Sequence, residues 1–406
     1  MSARLLRNSR LIVSRNALIN IPRVTTPILR RSYASPSIST RGESPWAKAA
    51  IYSLGAVGVG CLAYAGFDAY DSWRNMFPEE VRLPLKRGIA AKNAGDSEGS
   101  IAHKREAWAI ARTLPISSFQ PPDPYFKLTG IAIDLAGELE ETGDISGAYT
   151  LYSEALDKLR EADGLNTQER MRGVGIALKL GWLVEQSQSE EGGKLVVSKE
   201  EEERVRVWPV QEVLKISLEA QRQSTGKEAE SVDFATLQLP EGMSKTDICV
   251  PLVKLGEFYS KHGKPQYAMP LYLQAATLLV ANGGASVPRN DLCNGARMMN
   301  TIAQLVITAQ PTQEGLTAAE TWTARSLNIL KLAQDQAKGS PTDGTCETAL
   351  AVTLINAGML REMAGDGKQA HDFLSAAMKQ AKAIGLEDGV AEIQKAIDRV
   401  AQKQKV

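Results

Sequence analysis

Three stretches of the chain repeat one pattern of small and large positions, and they superimpose without gaps. They are residues 132–156, 252–276 and 354–378. In each, a small residue is followed by a glycine, an alanine, a large residue and a second alanine at fixed spacing. These positions are Ala136, Gly143, Ala148, Tyr152 and Ala155, then Gly256, Gly263, Ala268, Tyr272 and Ala275, then Gly358, Gly365, Ala370, Leu374 and Ala377. Spacings of three, four and seven are typical of helix faces, so each stretch predicts two helices joined at the glycine.

Less regular helical patterns lie between and before these stretches. Residues 177–186 pair with a helix over 204–221, residues 296–310 pair with 316–334, and residues 83–111 form a degenerate first pair. Loops rich in proline, glycine and serine are predicted at 119–126, 224–244 and 338–346. The sequence therefore predicts an all-α domain of about six helical hairpins over residues 78–404.

The repeated pattern resembles the tetratricopeptide repeat. The best match is Leu255, Gly256, Tyr259, Ala268, Tyr272 and Ala275, although the final proline of the motif is absent from all three copies. The resemblance implies an α-solenoid that binds extended segments or helices on the face of its first helices. The carboxylate clamp of chaperone-docking repeats is absent, because its aligned positions are Ile133, Gly137, Val253, Glu257, Ile355 and Met359.

Four residues are candidate partner contacts on the first-helix face. They are Trp182, Glu185, Glu257 and Lys261. A packing or ordinary surface role is the alternative for each of them.

An uncharged apolar run covers residues 49–67. Nineteen residues at about 1.5 Å each nearly match the hydrocarbon thickness of a bilayer, so the run predicts one transmembrane helix. Its small-residue face would let another membrane helix pack closely; this face comprises Gly55, Ala56, Val59, Gly60 and Ala63. A buried helix of a water-soluble domain is the alternative.

The amino-terminal leader is rich in arginine and hydroxyl residues, and it has no acidic residue before Glu43. This composition is typical of a mitochondrial transit peptide. The order Arg31-Ser32-Tyr33-Ala34-Ser35 resembles a matrix processing site, which predicts a transit peptide over residues 1–33. A basic arm that binds nucleic acid or anionic lipid is the alternative.

Charge adds two expectations. The whole chain balances 47 basic with 47 acidic residues, and loss of residues 1–33 removes seven arginines, so the mature chain has a net charge near −7. Nucleic acid is therefore not expected as the principal partner.

Basic Arg41 and Lys48 precede the span, whereas Asp68 and Asp71 follow it. This asymmetry favours an inner-membrane protein whose bulk faces the intermembrane space, with a matrix-facing domain as the alternative.

Residues that could support catalysis are sparse. The three histidines, His103, His262 and His371, fall where solvated or capping roles are expected, and no nucleotide-binding or hydrolase motif occurs. Cys61 lies in the apolar run, while Cys249, Cys293 and Cys346 are far apart and are expected to be core or surface residues. The acidic run 200–203 is expected in a solvated insertion, with a regulatory contact as the alternative. The sequence predicts no catalytic residue, cofactor, metal or small-molecule substrate.

The order of leader, span and helical repeats resembles the tetratricopeptide adaptor subunit of the fungal mitochondrial i-AAA protease complex. The resemblance implies a non-enzymatic protein that recruits unfolded or misassembled substrates to that protease, together with a fellow adaptor subunit. An assembly factor for respiratory complex III with the same scaffold is one alternative. An enzyme whose active site escapes recognition is another.

Overall fold

The computed structural model describes residues 76–189, 195–225, 232–235, 237, 239–280, 287–336 and 344–404. Every regular element within these ranges is helical, which confirms the all-α prediction. The helices are α1 (Glu79–Asn93), α2 (Ser97–Ala111), α3 (Pro124–Glu141), α4 (Ile145–Arg160), α5 (Thr167–Ser189), α6 (Lys199–Thr225), α7 (Lys245–Lys261), α8 (Pro265–Val280), α9 (Arg289–Ala309), α10 (Gln313–Gln336), α11 (Gly344–Met363), α12 (Gly367–Ala383) and α13 (Glu387–Gln404), with a short 3-10 turn at Ile116–Ser118.

The amino-terminal predictions concern residues that lie outside these ranges. They are the transit peptide at 1–33 and the membrane span at 49–67 with its small-residue face. Of the helices in the described ranges, none combines the length and the apolar character that crossing a bilayer requires.

The chain divides into two compact units between Arg172 and Gly173. In the first unit, α1 packs on α2 and α3 packs on α4. In the second unit, the hairpins α7/α8, α9/α10 and α11/α12 follow one another, and α13 packs on α12. The hairpins predicted from the repeats therefore exist in both units.

The predicted turn glycines have the backbone that only glycine adopts without strain. Gly143, Gly263 and Gly365 have φ values of +82°, +68° and +83°. In two of these turns the next residue is aspartate, which caps the second helix: Asp144 accepts a hydrogen bond from the Gly147 amide, and Asp366 accepts one from the Gln369 amide. Each turn thus ends one helix and starts the next within a few residues.

The small residues on the first helices allow close packing, as their spacing predicts. A Cβ atom added to Gly256 would lie 3.0 Å from the ring of Tyr272. A Cβ atom added to Gly358 would lie 2.7 Å from Cγ of Leu374 and 3.3 Å from the carbonyl oxygen of Ala370. The large residue of each second helix therefore fills the space that the missing side chain leaves on the first helix.

A buried charge cluster holds the degenerate first hairpin to α3, and the sequence pattern did not predict it. The fully buried Lys104 donates to Glu138 at 2.6 Å and also pairs with Asp134. Ser100 donates to the second oxygen of Glu138 at 2.8 Å, and Lys92 lies 3.1 Å from the first. Burial alone would raise the pKa of Glu138, but these hydrogen bonds outweigh burial and lower it.

The helices expected at 177–186 and 204–221 exist as parts of the longer α5 and α6. Two loop predictions are wrong at their ends, because α3 begins at Pro124 within 119–126 and α11 begins at Gly344 within 338–346.

Cys293 and Cys346 are not independent core or surface residues, because they form a disulfide that joins α9 to α11. Sequence distance hid this pair, since the two helices are separated along the chain by α10 and yet pack together.

Gly358→Ala tests the packing of the hairpins. We expect it to destabilise the chain by about 1–3 kcal/mol, because Leu374 is buried and cannot move aside freely. Gly175→Ala is the matched control, since a Cβ atom there meets nothing within 4 Å, and helix propensity should stabilise it by up to about 1 kcal/mol. Urea unfolding followed by circular dichroism measures both. Equal effects of the two substitutions would contradict this account.

Candidate partner-binding surface

The four residues predicted as partner contacts lie in the second unit, on two first helices. Trp182 and Glu185 belong to α5, and Glu257 and Lys261 belong to α7. Their side chains differ in environment: Trp182 is exposed, Lys261 is largely exposed, Glu185 is partly buried and Glu257 is buried. Whether they contact a partner remains a prediction.

Glu185 and Lys261 link α5 to α7. The Lys261 ammonium donates to Oε1 of Glu185 at 2.6 Å, and Arg206 of α6 approaches the same oxygen at 3.5 Å. Burial would raise the pKa of Glu185, but the hydrogen bond from Lys261 and the charge of Arg206 outweigh it, so the pKa is lowered. Glu185 therefore stays ionised at neutral pH and holds the two helices in register.

Arg206 is the buried centre of this surface. Its guanidinium donates to Oε1 of Glu202 at 3.0 Å and to the carbonyl oxygen of Gly181 at 2.9 Å. It also lies 5.5 Å from the centre of the Phe258 ring. A buried cation with two acceptors and an aromatic neighbour joins α5, α6 and α7 in one arrangement.

Glu257 is buried, and only one of its two carboxylate oxygens has a hydrogen-bond partner among the described residues. Lys254, one turn earlier, lies 3.0 Å from its Oε2 atom, whereas its Oε1 atom has no hydrogen-bond partner in the described residues. Burial lowers the pKa of Arg297 on α9, and the charge of Glu257 acts in the opposite direction. The charge of Glu257 on α7 thus acts on Arg297 of α9.

Trp182 is the large apolar side chain that this face presents to solvent. It is 44% exposed, and the ammonium of Lys179 lies 3.9 Å from its ring centre. A tryptophan held by a cation offers a flat apolar area at low entropic cost, which suits protein recognition.

A second aromatic group was missed in the sequence. Tyr259 donates to Glu203 at 2.8 Å, and its ring centre lies 5.4 Å from that of the exposed Tyr267. Burial and the hydrogen bond to Glu203 raise the pKa of Tyr259 to about 12. From the sequence, Tyr259 is expected only as a position of the repeat.

The acidic run 200–203 is not a solvated insertion, which corrects the prediction. It lies in the first turns of α6, where Glu202 pairs with Arg206 and Glu203 accepts from Tyr259. Four consecutive carboxylates suggest a solvated loop in sequence. In the structure Glu201 pairs with Arg204 and Glu202 pairs with Arg206 on the same helix, whereas Glu203 accepts from Tyr259 of α7.

His262 and Cys249 lie in surroundings that suit structural roles rather than catalysis. His262 ends α7 and its ring lies 2.8 Å from the carbonyl oxygen of Phe258, as a capping role requires. Burial raises the pKa of the Cys249 thiol to about 12, which makes it a poor nucleophile. No group of three His, Cys, Asp or Glu side chains in these ranges could hold a metal ion. The surface can bind by shape, charge and aromatic contact.

Arg206→Met tests the buried centre. We expect a loss of about 3–5 kcal/mol in unfolding free energy, because the substitution leaves Glu202 buried without its cation. Arg204→Met is the control on the same helix. Arg204 is exposed and pairs with Glu201, so its loss should cost at most about 1 kcal/mol. Urea unfolding of both variants measures the difference, and comparable losses would refute the assignment.

Glu185→Gln tests the sign of the pKa shift. A lowered pKa in the folded state stabilises the fold above the ordinary carboxyl pKa of about 4.3, and this stabilisation is lost as pH falls through the folded value. The variant should therefore be less stable than the parent at pH 7, and the difference should vanish in acid. Unfolding midpoints across pH 3–7 (roughly the range where carboxyls titrate) check this. A constant difference across that range would contradict it.

Comparisons with known proteins give likeness in structure alone. No protein-family model matches the chain, and the search of curated proteins gives no match. The structure of RapI in its apo form aligns with a TM-score of 0.46 at 11% identity, covering 80% of this chain and 72% of that chain.

Two further solved structures align over similar lengths. The nuclear import adaptor Nro1 of S. pombe aligns with a TM-score of 0.44 at 13% identity, covering 78% and 97%. Acl4, the assembly chaperone of RpL4, aligns with a TM-score of 0.43 at 16% identity, covering 80% and 98%. Each TM-score lies below 0.5, so none of these likenesses bears on what the chain binds.

Proposed function

We propose that the chain is a non-enzymatic adaptor anchored in the mitochondrial inner membrane. Its helical hairpins bind unfolded or misassembled polypeptides in the intermembrane space and deliver them to the i-AAA protease, in company with a fellow adaptor subunit. The observation that carries the proposal is the exposed Trp182 beside a fixed set of charges on α5 and α7.

An unfolded polypeptide offers what this surface can bind. It exposes apolar side chains, unpaired backbone groups and scattered charges, and it lacks a fixed shape. The indole of Trp182 supplies apolar contact area, and the neighbouring Lys261 and Glu185 supply charges of both signs. A mixed surface of this kind favours tolerance of many sequences over selection of one.

The surface is held rigid before any partner arrives. Lys261, Glu185 and Arg206 connect three helices by hydrogen bonds and ion pairs, so little side-chain entropy remains to be lost around Trp182. Preorganisation supports binding as the role of this face.

The compartment in the proposal is supported by the disulfide. Disulfides persist in oxidising compartments and are rare where thiols are kept reduced. The Cys293–Cys346 bond therefore supports an intermembrane-space location over the matrix. The membrane anchor in the proposal is the apolar run at 49–67, and the address is the leader at 1–33.

Co-purification tests the recruiting role. The tagged full chain is isolated in mild detergent and its companions are identified by mass spectrometry. An AAA protease is the expected companion. Cytochrome bc1 subunits without a protease would replace the proposal by complex III assembly.

Protease protection of a carboxy-terminal tag tests the location. We expect digestion of the tag only after rupture of the outer membrane, and resistance of the tag in mitoplasts would overturn the location.

Trp182→Ala tests the binding face. We expect its Kd for a permanently unfolded polypeptide, reduced and carboxymethylated, to rise about tenfold, as loss of a central aromatic contact does. Leu273→Ala is the control, because Leu273 is also exposed but lies on the second helix α8. Fluorescence anisotropy measures both. Equal affinities for Trp182→Ala and the parent would remove this face from the proposal.

A further inference from the structure

The contact between α9 and α11 combines features that the adaptor role does not use. We name this contact the seam and define it by Cys293, Asn300 and Ile307 on α9 and by Cys346, Thr353, Asn356 and Leu360 on α11. The α9 residues recur every seven positions and the α11 residues at spacings of seven, three and four, so each set shares one helix face. The helices run in the same direction, because α10 returns the chain between them.

Contacts along the seam fix its register. At one end Cys293 and Cys346 are bonded, with Cα atoms 5.0 Å apart. In the middle, Ser326 of α10 donates to the carbonyl oxygen of Ala296 at 2.8 Å and lies 3.3 Å from the hydroxyl of Thr353. At the other end Ile307 and Leu360 pack in one apolar cluster. Asn300 and Asn356 lie between the two ends.

The two asparagines are buried without adequate hydrogen bonding. Asn300 is 4% exposed and Asn356 is 1% exposed. Both side-chain atoms of Asn356, and the amide oxygen of Asn300, have no hydrogen-bond partner among the described residues. A buried amide without partners costs its full desolvation energy, whereas water would satisfy it if the helices separated. The desolvation free energy of these two amides therefore favours opening of the seam.

The disulfide opposes opening of the seam. It joins residues 53 positions apart, so it restricts the unfolded chain and prevents α9 and α11 from separating at that end. Both cysteines are buried in the closed seam. An oxidant can therefore reach the thiols only before the seam closes.

We propose that Cys293 and Cys346 form an oxidation site that is used during folding, and that their bond then holds the seam closed over Asn300 and Asn356. The co-reactant is a thiol–disulfide oxidoreductase. One cysteine thiolate attacks its disulfide and forms a mixed disulfide, which releases one thiol of the oxidoreductase. The second cysteine thiolate displaces the other. The chain loses two electrons and two protons, and the oxidoreductase leaves as a dithiol.

The oxidation site does not depend on the recruiting role. An adaptor, an assembly factor or another binding protein would need the same closed seam. Failure to find a protease partner leaves the oxidation site untouched, and free thiols at Cys293 and Cys346 leave the binding face untouched.

Thiol counting on the full chain tests the oxidation. Whole cells that contain the full chain are quenched in acid, and the denatured chain is treated with a maleimide polymer before and after reduction. The chain has four cysteines. We expect two modified cysteines before reduction, Cys61 and Cys249, and four after it. Cys293→Ser should give three in both cases. Four modified cysteines before reduction would overturn the proposal.

Hydrogen exchange tests the closed seam. In the detergent-purified full chain, replacing both cysteines by serine should raise exchange in α9 and α11 about tenfold or more and lower the Tm by about 5–10 °C. Exchange in α3 and α4, in the other unit, should not change and serves as internal reference. Unchanged exchange in α9 and α11 would refute the holding role of the bond.

A rescue experiment isolates the asparagines. Asn356→Leu, of similar size, removes the unpartnered amide. Added to the double serine variant, it should restore most of the lost protection in α11. Absence of any rescue would show that the buried amides are not what the bond opposes. If the double serine variant fails to fold, thiol counting on the parent chain still decides the oxidation.

Discussion

Close approach between helices, at positions with little or no side chain, is the constraint on which the described fold depends. Gly256 and Gly358 each face a large residue of the partner helix, and no methyl group fits at either place without displacement. Because the packed interior has few voids, a large residue on one helix needs a small one opposite. The alanines of the second helices, which are fully buried, extend the same rule to the next contact. The spacing of small residues therefore sets which helices pair.

Such close packing buries charged side chains, and the fold satisfies them across helices. Lys104 in the first unit and Arg206 in the second are buried cations, each with a carboxylate and further polar neighbours. A buried ion pair adds little net stability by itself, but removing one partner is costly. These clusters therefore fix helix register, and in the second unit they fix the charges around Trp182.

Several carboxylates in the described ranges are engaged by side chains of the same or a neighbouring helix. Glu185, Glu202 and Glu203, which could have suggested acid–base chemistry, are engaged by Lys261, Arg206 and Tyr259. These carboxylates therefore serve helix packing. The seam departs from this pairing, because both side-chain polar atoms of Asn356 are buried without a hydrogen-bond partner among the described residues. We propose that the Cys293–Cys346 bond keeps the seam closed in spite of this.

The sequence by itself determined the helical hairpins, their turns at Gly143, Gly263 and Gly365, and the small-to-large contacts, because these depend on local spacing and on backbone conformations that few residues adopt. It also placed Glu185 and Lys261 on first helices. The structure decided that these two side chains meet, that residues 200–203 are helical and paired, and that Cys293 bonds to Cys346. The contacts of Glu185 with Lys261, of Glu203 with Tyr259 and of Cys293 with Cys346 join residues more than fifty positions apart, and their geometry arises only when separate helices pack.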